Sequence, residues 1–388
     1  MVQDKDEEAA SPTKNAYKIR AFTSAMRAID NLDYPIRSAT EAKALKGVGL
    51  GIYRRLEEFF ETTSHTPETV DPAEVKEAKR KREARAKLEQ IAGIGPVKAS
   101  ALVAAGCMSL EQLKTPKYMD LLTTAWQRIG VTYFDHLKEP VSREEAERVA
   151  QFIREALPSK YEVIIGGSYR RGASTSSDID IIILHPDHVH VPVPVGTPSK
   201  ITAASSAKRN GALPSLLQSE VIPALTSRGL LAAAGSSGGL KWQGIVLLPE
   251  HDSSTQSDRW GERQRRLTAI EKVEGMYRRM DINLVAEKSR GAALVSLTGD
   301  TEFNRDLRIR ATKIGMHLNE YGLWRWNERE GDEEREGGGE AGYWELVRSD
   351  TEQGVLRELG MEYVEPEKRN FALVTGKTLR ASGKKSRL

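Results

Sequence analysis

The residues best equipped for chemistry in this 388-residue chain are Gly166-Gly167-Ser168-Tyr169-Arg170-Arg171-Gly172, followed by Asp178-Ile179-Asp180. The apolar, β-branched run at 161–165 reads as a strand, and Ile179–Leu184 reads as another. The glycine-rich turn between them carries a hydroxyl and two guanidiniums, groups that cradle phosphate. Residues two apart on a strand share a face, so Asp178 and Asp180 project together at the rim of that cradle. Paired carboxylates beside an anion cradle suit divalent cations shared with a nucleotide. Asp281, in Arg278-Arg279-Met280-Asp281-Ile282-Asn283, is a third acidic candidate. A charge in an apolar strand is costly unless it is paired or bound to metal. The plain alternative for Asp281 is a salt bridge to Arg279 or another arginine.

Composition narrows the setting. The chain is 39% hydrophobic with a net charge of +3, and its mean hydropathy is −0.49. No apolar run approaches a membrane span. Residues 1–11 are acidic and polar, unlike a signal sequence. A single cysteine, Cys107, excludes an internal disulfide framework and a thiolate zinc site, and favours a reducing compartment, cytosol or nucleus. Basic residues gather at 76–87, 259–266 and 377–387, acidic ones at 328–340. Any one such run also reads as a solvated helix face.

The elements that must position these groups follow from periodicity. Residues 1–11 read as disordered, and 17–137 as two helical regions separated by a break at 67–72. A helix over 143–157 is capped by Ser142, with Glu145 in the capping-box position. After the strand at 179–184, residues 185–211 read as a long solvent-exposed loop. A helix is expected over 213–231, a small-residue loop over 232–239 and a strand over 241–248. A flexible stretch at 249–257, an arginine-rich helix at 258–272 and a strand at 276–285 follow. Residues 292–315 read as partly helical, 328–342 as a mobile Glu/Gly-rich insertion and 351–373 as globular again. The helical half holds one internal repeat. Gly47-Val48-Gly49-Leu50-Gly51 and Gly93-Ile94-Gly95-Pro96 are matching turns between helices, followed by Arg54, Arg55 and Lys98. Such turns expose backbone N–H groups that can bind DNA phosphate without reading sequence. They also serve simply to close helix pairs.

The Gly-Ser-Tyr-Arg-Arg-Gly…Asp-Ile-Asp segment, the two hairpin turns and an aspartate on a late strand together resemble the X family of DNA polymerases, of the beta and lambda type. The resemblance covers about residues 17–371. Odd insertions are similar to those of a fungal end-joining, polymerase IV-like member. The implied fold is multidomain α plus α/β: helix-hairpin-helix domains, a nucleotidyltransferase palm and an α+β C-terminal subdomain. The implied divisions are a tail at 1–11, a DNA-end-binding domain at 12–85 and a DNA-binding subdomain at 86–142. The palm would span 143–287, with insertions at 185–211 and 249–274, and the last subdomain 288–388, with an insertion at 328–342.

The resemblance also implies roles. Asp178, Asp180 and Asp281 would be catalytic and hold two Mg²⁺ or Mn²⁺, with Asp281 accepting the primer 3′-hydroxyl proton. Gly167, Ser168, Arg171, Ser177, Ser296, Leu297, Thr298, Gly299 and Asn304 would bind nucleotide. Gly47, Gly49, Gly51, Arg55, Gly93, Gly95, Lys98, Arg279 and Arg308 would bind DNA. The hairpin turns would also hold Na⁺ or K⁺ through carbonyls. Gapped or broken duplex DNA, dNTP or NTP and end-joining proteins are the implied partners, for a nuclear monomer. With residue 17 already expected in the first DNA-binding domain, no BRCT-like domain is expected ahead of it, as in a truncated form or an atypical member.

Three departures change the expectation. Arg55 stands where many members carry a Schiff-base lysine, so 5′-deoxyribose phosphate lyase activity is expected to be weak or absent. Ser296-Leu297 replaces an aromatic pair that screens the ribose, so ribonucleotides are expected to enter. Pro140 replaces a triphosphate-binding arginine, with Lys138 or Arg143 as substitutes. Template-directed synthesis is favoured, because 232–239 is short where template-independent members carry a long loop. A template-independent transferase, a non-catalytic DNA-binding scaffold and an RNA-adding enzyme of the poly(A) or CCA type remain alternatives.

Overall fold

The computed structural model describes residues 16–32, 34–45, 47–62, 72–198, 201, 215–250, 259–328 and 342–370. The expectations for 1–11, 63–71, 251–258 and 329–341 lie outside the described residues. The chain divides into two compact units, Met1–Leu122 and Thr123–Leu388.

The N-terminal unit is helical: α1 (Ala16–Asp30), α2 (Ala39–Lys43), α3 (Leu50–Thr62), α4 (Pro72–Leu88), α5 (Pro96–Ala104), α6 (Leu110–Leu113) and α7 (Pro116–Met119). Apolar residues at helical spacing give α1 to α3 a shared core of Phe22, Ala25, Ala39, Ala42, Ile52 and Leu56. The expected repeat is real in backbone detail. Val48 N–H donates to Leu45 O at 3.1 Å, and Ile94 N–H to Ile91 O at 3.0 Å. Gly47 and Gly93 sit at φ +108° and +82°, a region that L side chains rarely adopt. At Gly47 a Cβ would also fall 2.5 Å from Ser24 Oγ.

The C-terminal unit holds α8 (Ala125–Thr132), β1 (Val141–Ser142), α9 (Arg143–Ala156), β2 (Glu162–Ile165), α10 (Gly167–Arg170), β3 (Thr175–Ser176) and β4 (Ile179–Leu184). A π-helical turn at Leu217–Val221 leads into α11 (Ile222–Ser227). Then come β5 (Leu231–Ser237), β6 (Lys241–Leu247), α12 (Arg259–Lys272), β7 (Tyr277–Val285), α13 (Arg290–Thr298) and α14 (Thr301–Lys313). Strands β8 (Met316–Asn319), β9 (Gly322–Glu328) and β10 (Gly342–Leu346) and helix α15 (Glu352–Glu358) complete it. The main sheet runs β2-β4-β7-β6-β5, with β4 and β7 parallel and the other pairs antiparallel. Strands β8 to β10 form a second, antiparallel sheet.

Alternation along the strands divides the main sheet into two faces. Ile179, Ile181 and Ile183 of β4 join Met280, Ile282 and Leu284 of β7 in a core with Val149, Ile153 and Leu225 from the covering helices. The intervening positions, including Asp180 and Asp281, belong to the opposite face. Helix α9 begins where the capping box predicts. Ser142 Oγ accepts from Glu145 N–H at 3.1 Å, and Glu145 Oε2 accepts from Ser142 N–H at 2.9 Å. Glu145 also takes Arg278 in a buried two-pronged pair at 2.8 and 3.2 Å, which ties the helix to β7.

Three expectations are corrected. The helix expected over 213–231 ends at Ser227, and the expected loop at 232–239 is mostly edge strand β5. Its small residues are a packing requirement: a Cβ on Gly235 would fall 2.2 Å from the Trp126 ring of α8. The insertion after β4 forms no α-helix in its described part, yet it is not simply solvent-exposed. Val191 is buried with Ala286, Trp324 and Trp344, and Trp344 Nε1 donates to Gly196 O at 2.8 Å.

Candidate active site

The parallel pairing of β4 with β7 sets Asp180 directly opposite Asp281. Asp178 precedes β4 in the bend, and its Oδ2 lies 3.6 Å from Arg279 Nη2. The same nitrogen is 3.5 Å from Asp281 Oδ2. Of the two sequence readings of Asp281, the structure shows the salt bridge to Arg279; Asp281 also faces Asp180 across the ladder and shares Arg279 with Asp178. Among the described residues no three His, Cys, Asp or Glu side chains converge closely enough to hold a metal ion by themselves. Arg279 occupies the space between Asp178 and Asp281. Its guanidinium is itself backed by the Trp126 ring, 5.5 Å to the centroid.

Electrostatics report the crowding. Burial, then Asp178 and Asp281, push the Asp180 carboxyl up to about 7. Burial also raises Asp281, against the lowering effect of Gln243 and Arg279. Gln243 of β6 stands opposite Asp281 and donates Nε2–H to its Oδ2 at 2.6 Å. Asp281 Oδ1 is buried with no hydrogen-bond partner. A set of hard carboxylate oxygens, one of them buried and unpaired, fits a divalent cation that completes its shell with phosphate and water.

The glycine turn is built against these carboxylates. Gly167 has φ +58°, and a Cβ there would fall 2.0 Å from Asp180 Oδ2. Only glycine lets the turn approach so closely. Ser168 Oγ and Ser176 Oγ are 2.7 Å apart, and Ser177 Oγ donates to Asp178 Oδ1 at 3.1 Å. Arg143 stacks on Tyr169 and donates to Tyr169 O and Ala173 O at 2.8 and 3.1 Å. Arg143 therefore braces the turn from beneath, and Lys138 lies over the Phe134 ring at 3.8 Å.

Arg171 reaches out of the turn to Thr298 O and to Asn370 Oδ1, the latter at 3.1 Å. A Cβ on Gly299, which has φ +77°, would sit 3.1 Å from Arg171 Nη1. The Gly299-Asp300 peptide is cis. Thus Thr298 and Gly299 border the cradle, and Leu297 O lies 3.1 Å from the position of a Cβ on Gly166. Asn304 donates to Ser296 O at 2.7 Å and keeps a buried, unpartnered Oδ1. It shares an open groove of about 660 Å³ with Arg305, Arg308 and Lys313 along α14.

The remaining expected DNA-binding residues, Gly47, Gly49, Gly51, Arg55, Gly93, Gly95 and Lys98, belong to the N-terminal unit. Arg55 is exposed and lies 5.3 Å from the Phe22 ring centroid. Lys98 reaches back to Leu121 O.

Sequence reasoning missed Gln243, Trp126 and an ion network behind the turn. Arg170 donates to both oxygens of Glu352 at 2.8 and 2.5 Å, and Arg369 donates to Glu352 Oε1 at 2.6 Å. Burial pushes the Glu352 carboxyl up, but the two arginines outweigh it and hold it below the usual range. Lys241 of β6 likewise reaches Glu320, beyond β8, at 2.6 Å. Arg170 lies within the singled-out segment, whereas the acidic partners are far along the chain and carry no local pattern.

Comparisons with known proteins place the domains. Residues 7–65 match a helix-hairpin-helix domain. Residues 86–138 match the fingers domain of DNA polymerase lambda. Residues 140–287 match the DNA polymerase beta palm, and 293–370 the DNA polymerase beta thumb. The chain is 26% identical over 355 residues to DNA polymerase lambda of Arabidopsis thaliana, spanning 90% of this chain and 58% of that protein. It is 25% identical over 363 residues to DNA polymerase lambda of Rattus norvegicus, spanning 92% of this chain and 53% of that one. The chain thus spans just over half the length of these relatives. Polymerases with the beta-type palm use divalent metal ions, consistent with the carboxylates gathered here. No helix among the described residues is long and apolar enough to cross a membrane. Four consecutive domain matches in the expected order, the palm among them holding a sheet that sets Asp180 beside Asp281, make this chain a member of the X family of DNA polymerases, of the beta/lambda type.

Proposed function

We propose that this chain is a template-directed DNA polymerase that adds nucleotides to a primer 3′-hydroxyl in short-gap filling or end joining. The observation that carries the reading is the β4–β7 register, which sets Asp180 against Asp281 beneath the glycine turn, with Asp178 sharing Arg279. Nucleotidyl transfer needs in-line alignment and charge neutralisation more than covalent chemistry. Two Mg²⁺ or Mn²⁺ would supply Lewis acidity and an activated 3′-hydroxyl there.

The chain's own residues do the rest. Asp178 and Asp180 would hold both cations, and Asp281 the one serving the primer end, taking the hydroxyl proton. Ser168, Arg171, Ser177 and the backbone at Gly167 would hold the triphosphate. Arg143 is committed to bracing the turn, so the loss of an arginine at Pro140 is not made good by a free guanidinium from that residue. Asn304, through its unpaired Oδ1, and residues 296–299 would meet the sugar and base, and Arg308 the template strand. Arg279 would turn from the carboxylates toward the primer terminus as cations enter. The glycine hairpins and Lys98 would hold DNA phosphate, with Na⁺ or K⁺ at the turns, and Arg55 would bind without forming a Schiff base. A nuclear monomer working with end-joining proteins on broken DNA completes the reading.

Template direction is favoured over template-independent addition by the short turn at 238–240 between β5 and β6. The test is incorporation on a one-nucleotide gapped duplex and on a non-complementary end pair, with each dNTP and NTP, in Mg²⁺ and Mn²⁺. Templated addition that Asp281→Ala abolishes, with DNA binding retained, supports the reading. Efficient extension of a bare single strand favours the template-independent alternative, and no addition by the wild type favours a scaffold.

A further inference from the structure

The Asp281 carboxylate is held unevenly. Its Oδ2 receives Gln243 Nε2–H at 2.6 Å and lies 3.5 Å from Arg279 Nη2, while Oδ1 is buried and unpaired. The amide orientation of Gln243 follows from the partner, since reversing it would set two acceptors against each other at 2.6 Å. The bond is written into the sheet: β6 and β7 pair antiparallel with Gln243 directly opposite Asp281. Trp242, on the other side of β6, is 1% exposed and anchors the strand in the core beneath.

The two partners of Oδ2 differ in kind. Arg279 is a cation and is shared with Asp178, so it competes with any metal ion for the same carboxylates. An amide is neutral. It can keep its bond to Oδ2 while a cation approaches, without repelling the cation.

We propose that Gln243 is a positioning residue for Asp281. Its amide fixes the rotation of the carboxylate by one oxygen and leaves Oδ1 as the oxygen offered to a divalent cation. This inference rests on the reading of Asp281 as a cation ligand. Partners that orient metal-binding carboxylates are worth about 10- to 100-fold in metal affinity or activity.

The experiment uses the full chain on a one-nucleotide gapped duplex whose primer ends in a 3′-deoxy sugar, with the matching dNTP, so that no chemistry occurs. Mn²⁺ binding is followed by electron paramagnetic resonance, and dNTP affinity is measured in parallel. Gln243→Met keeps the length and shape of the side chain but removes the donor, so a merely structural role survives it. The expected result is at least a tenfold loss of affinity for the more weakly held Mn²⁺, with dNTP affinity and the melting temperature unchanged. Single-turnover incorporation on an extendable primer should then show a raised Mn²⁺ midpoint. Gln243→Met should add nothing in an Asp281→Ala background. An unchanged Mn²⁺ isotherm in Gln243→Met overturns the proposal while leaving the polymerase reading intact. If Asp281→Ala itself binds as much Mn²⁺ as the wild type, the reading of Asp281 fails, and the proposal with it.

Discussion

Replacing Asp180 by asparagine should stabilise the protein in the absence of metal. The carboxyl is pushed from 3.8 up to about 7 by burial and by Asp178 and Asp281, against weaker help from Arg279 and Arg171. The folded state therefore holds a proton on Asp180 more tightly than the unfolded chain does. Stability from this group is fully present below about pH 4 and is lost as pH rises through about 7. A shift of roughly three pKa units corresponds to about 4 kcal/mol at alkaline pH. Asp180→Asn keeps the shape and removes the charge, so it should recover most of that at pH 8 and almost none at pH 4. For a unit of this size the gain amounts to about 10 °C in melting temperature. The assay is thermal unfolding in EDTA at both pH values, repeated with Mg²⁺ and dNTP on gapped DNA. Bound cations should raise the wild type at pH 8 much more than the variant, because ligands stabilise the state that binds them. A variant that melts at or below the wild-type temperature in EDTA at pH 8 would refute the reasoning, since burial and the neighbouring carboxylates would not then be penalising the Asp180 charge.

Three further outcomes follow from the geometry. Glu145→Ala strips the α9 cap and leaves the Arg278 guanidinium buried without its carboxylate, so chemical denaturation should show a loss of about 3 kcal/mol or more. Borohydride should trap little or no covalent adduct with a 5′-deoxyribose phosphate end, because Arg55 cannot serve as the amine nucleophile; trapping at the level of a lysine-bearing lambda-type enzyme would contradict this. Ser296 and Leu297 carry no aromatic ring, so if they border the sugar as proposed, paired primer-extension assays should find NTP insertion within about 100-fold of dNTP insertion, or roughly 3 kcal/mol in barrier.

Much of this was legible from local pattern. The β4 run of isoleucines, the Ser142–Glu145 capping box and the paired glycine turns each carry a short-range signature, and each matched the structure. The sheet also sets Asp180 opposite Asp281, and Asp178 reaches the same arginine as Asp281, Arg279. The misses were of another kind. The edge strand β5 reads as a loop in the sequence because Ala-Ala-Ala-Gly-Ser-Ser has weak strand propensity. What makes it a strand is the ladder to β6 and the Trp126 ring seated on Gly235. Gln243 gave no signal, because a glutamine in a mixed strand looks ordinary until β7 is placed beside it. Glu352 and Glu320 were invisible for the same reason: their meaning is the arginine and lysine they meet more than 75 residues away.

The contact of Trp344 with the backbone at Gly196 has a mechanical outcome. Val191 and Gly196 of the palm insertion are seated against β9 and β10, Val191 in one buried cluster with Trp324 and Trp344. Any swing of the three-stranded sheet must drag this leash along or strip an indole of its acceptor. Lengthening the chain between β4 and Gly196 should therefore loosen that sheet without altering a single reactive group.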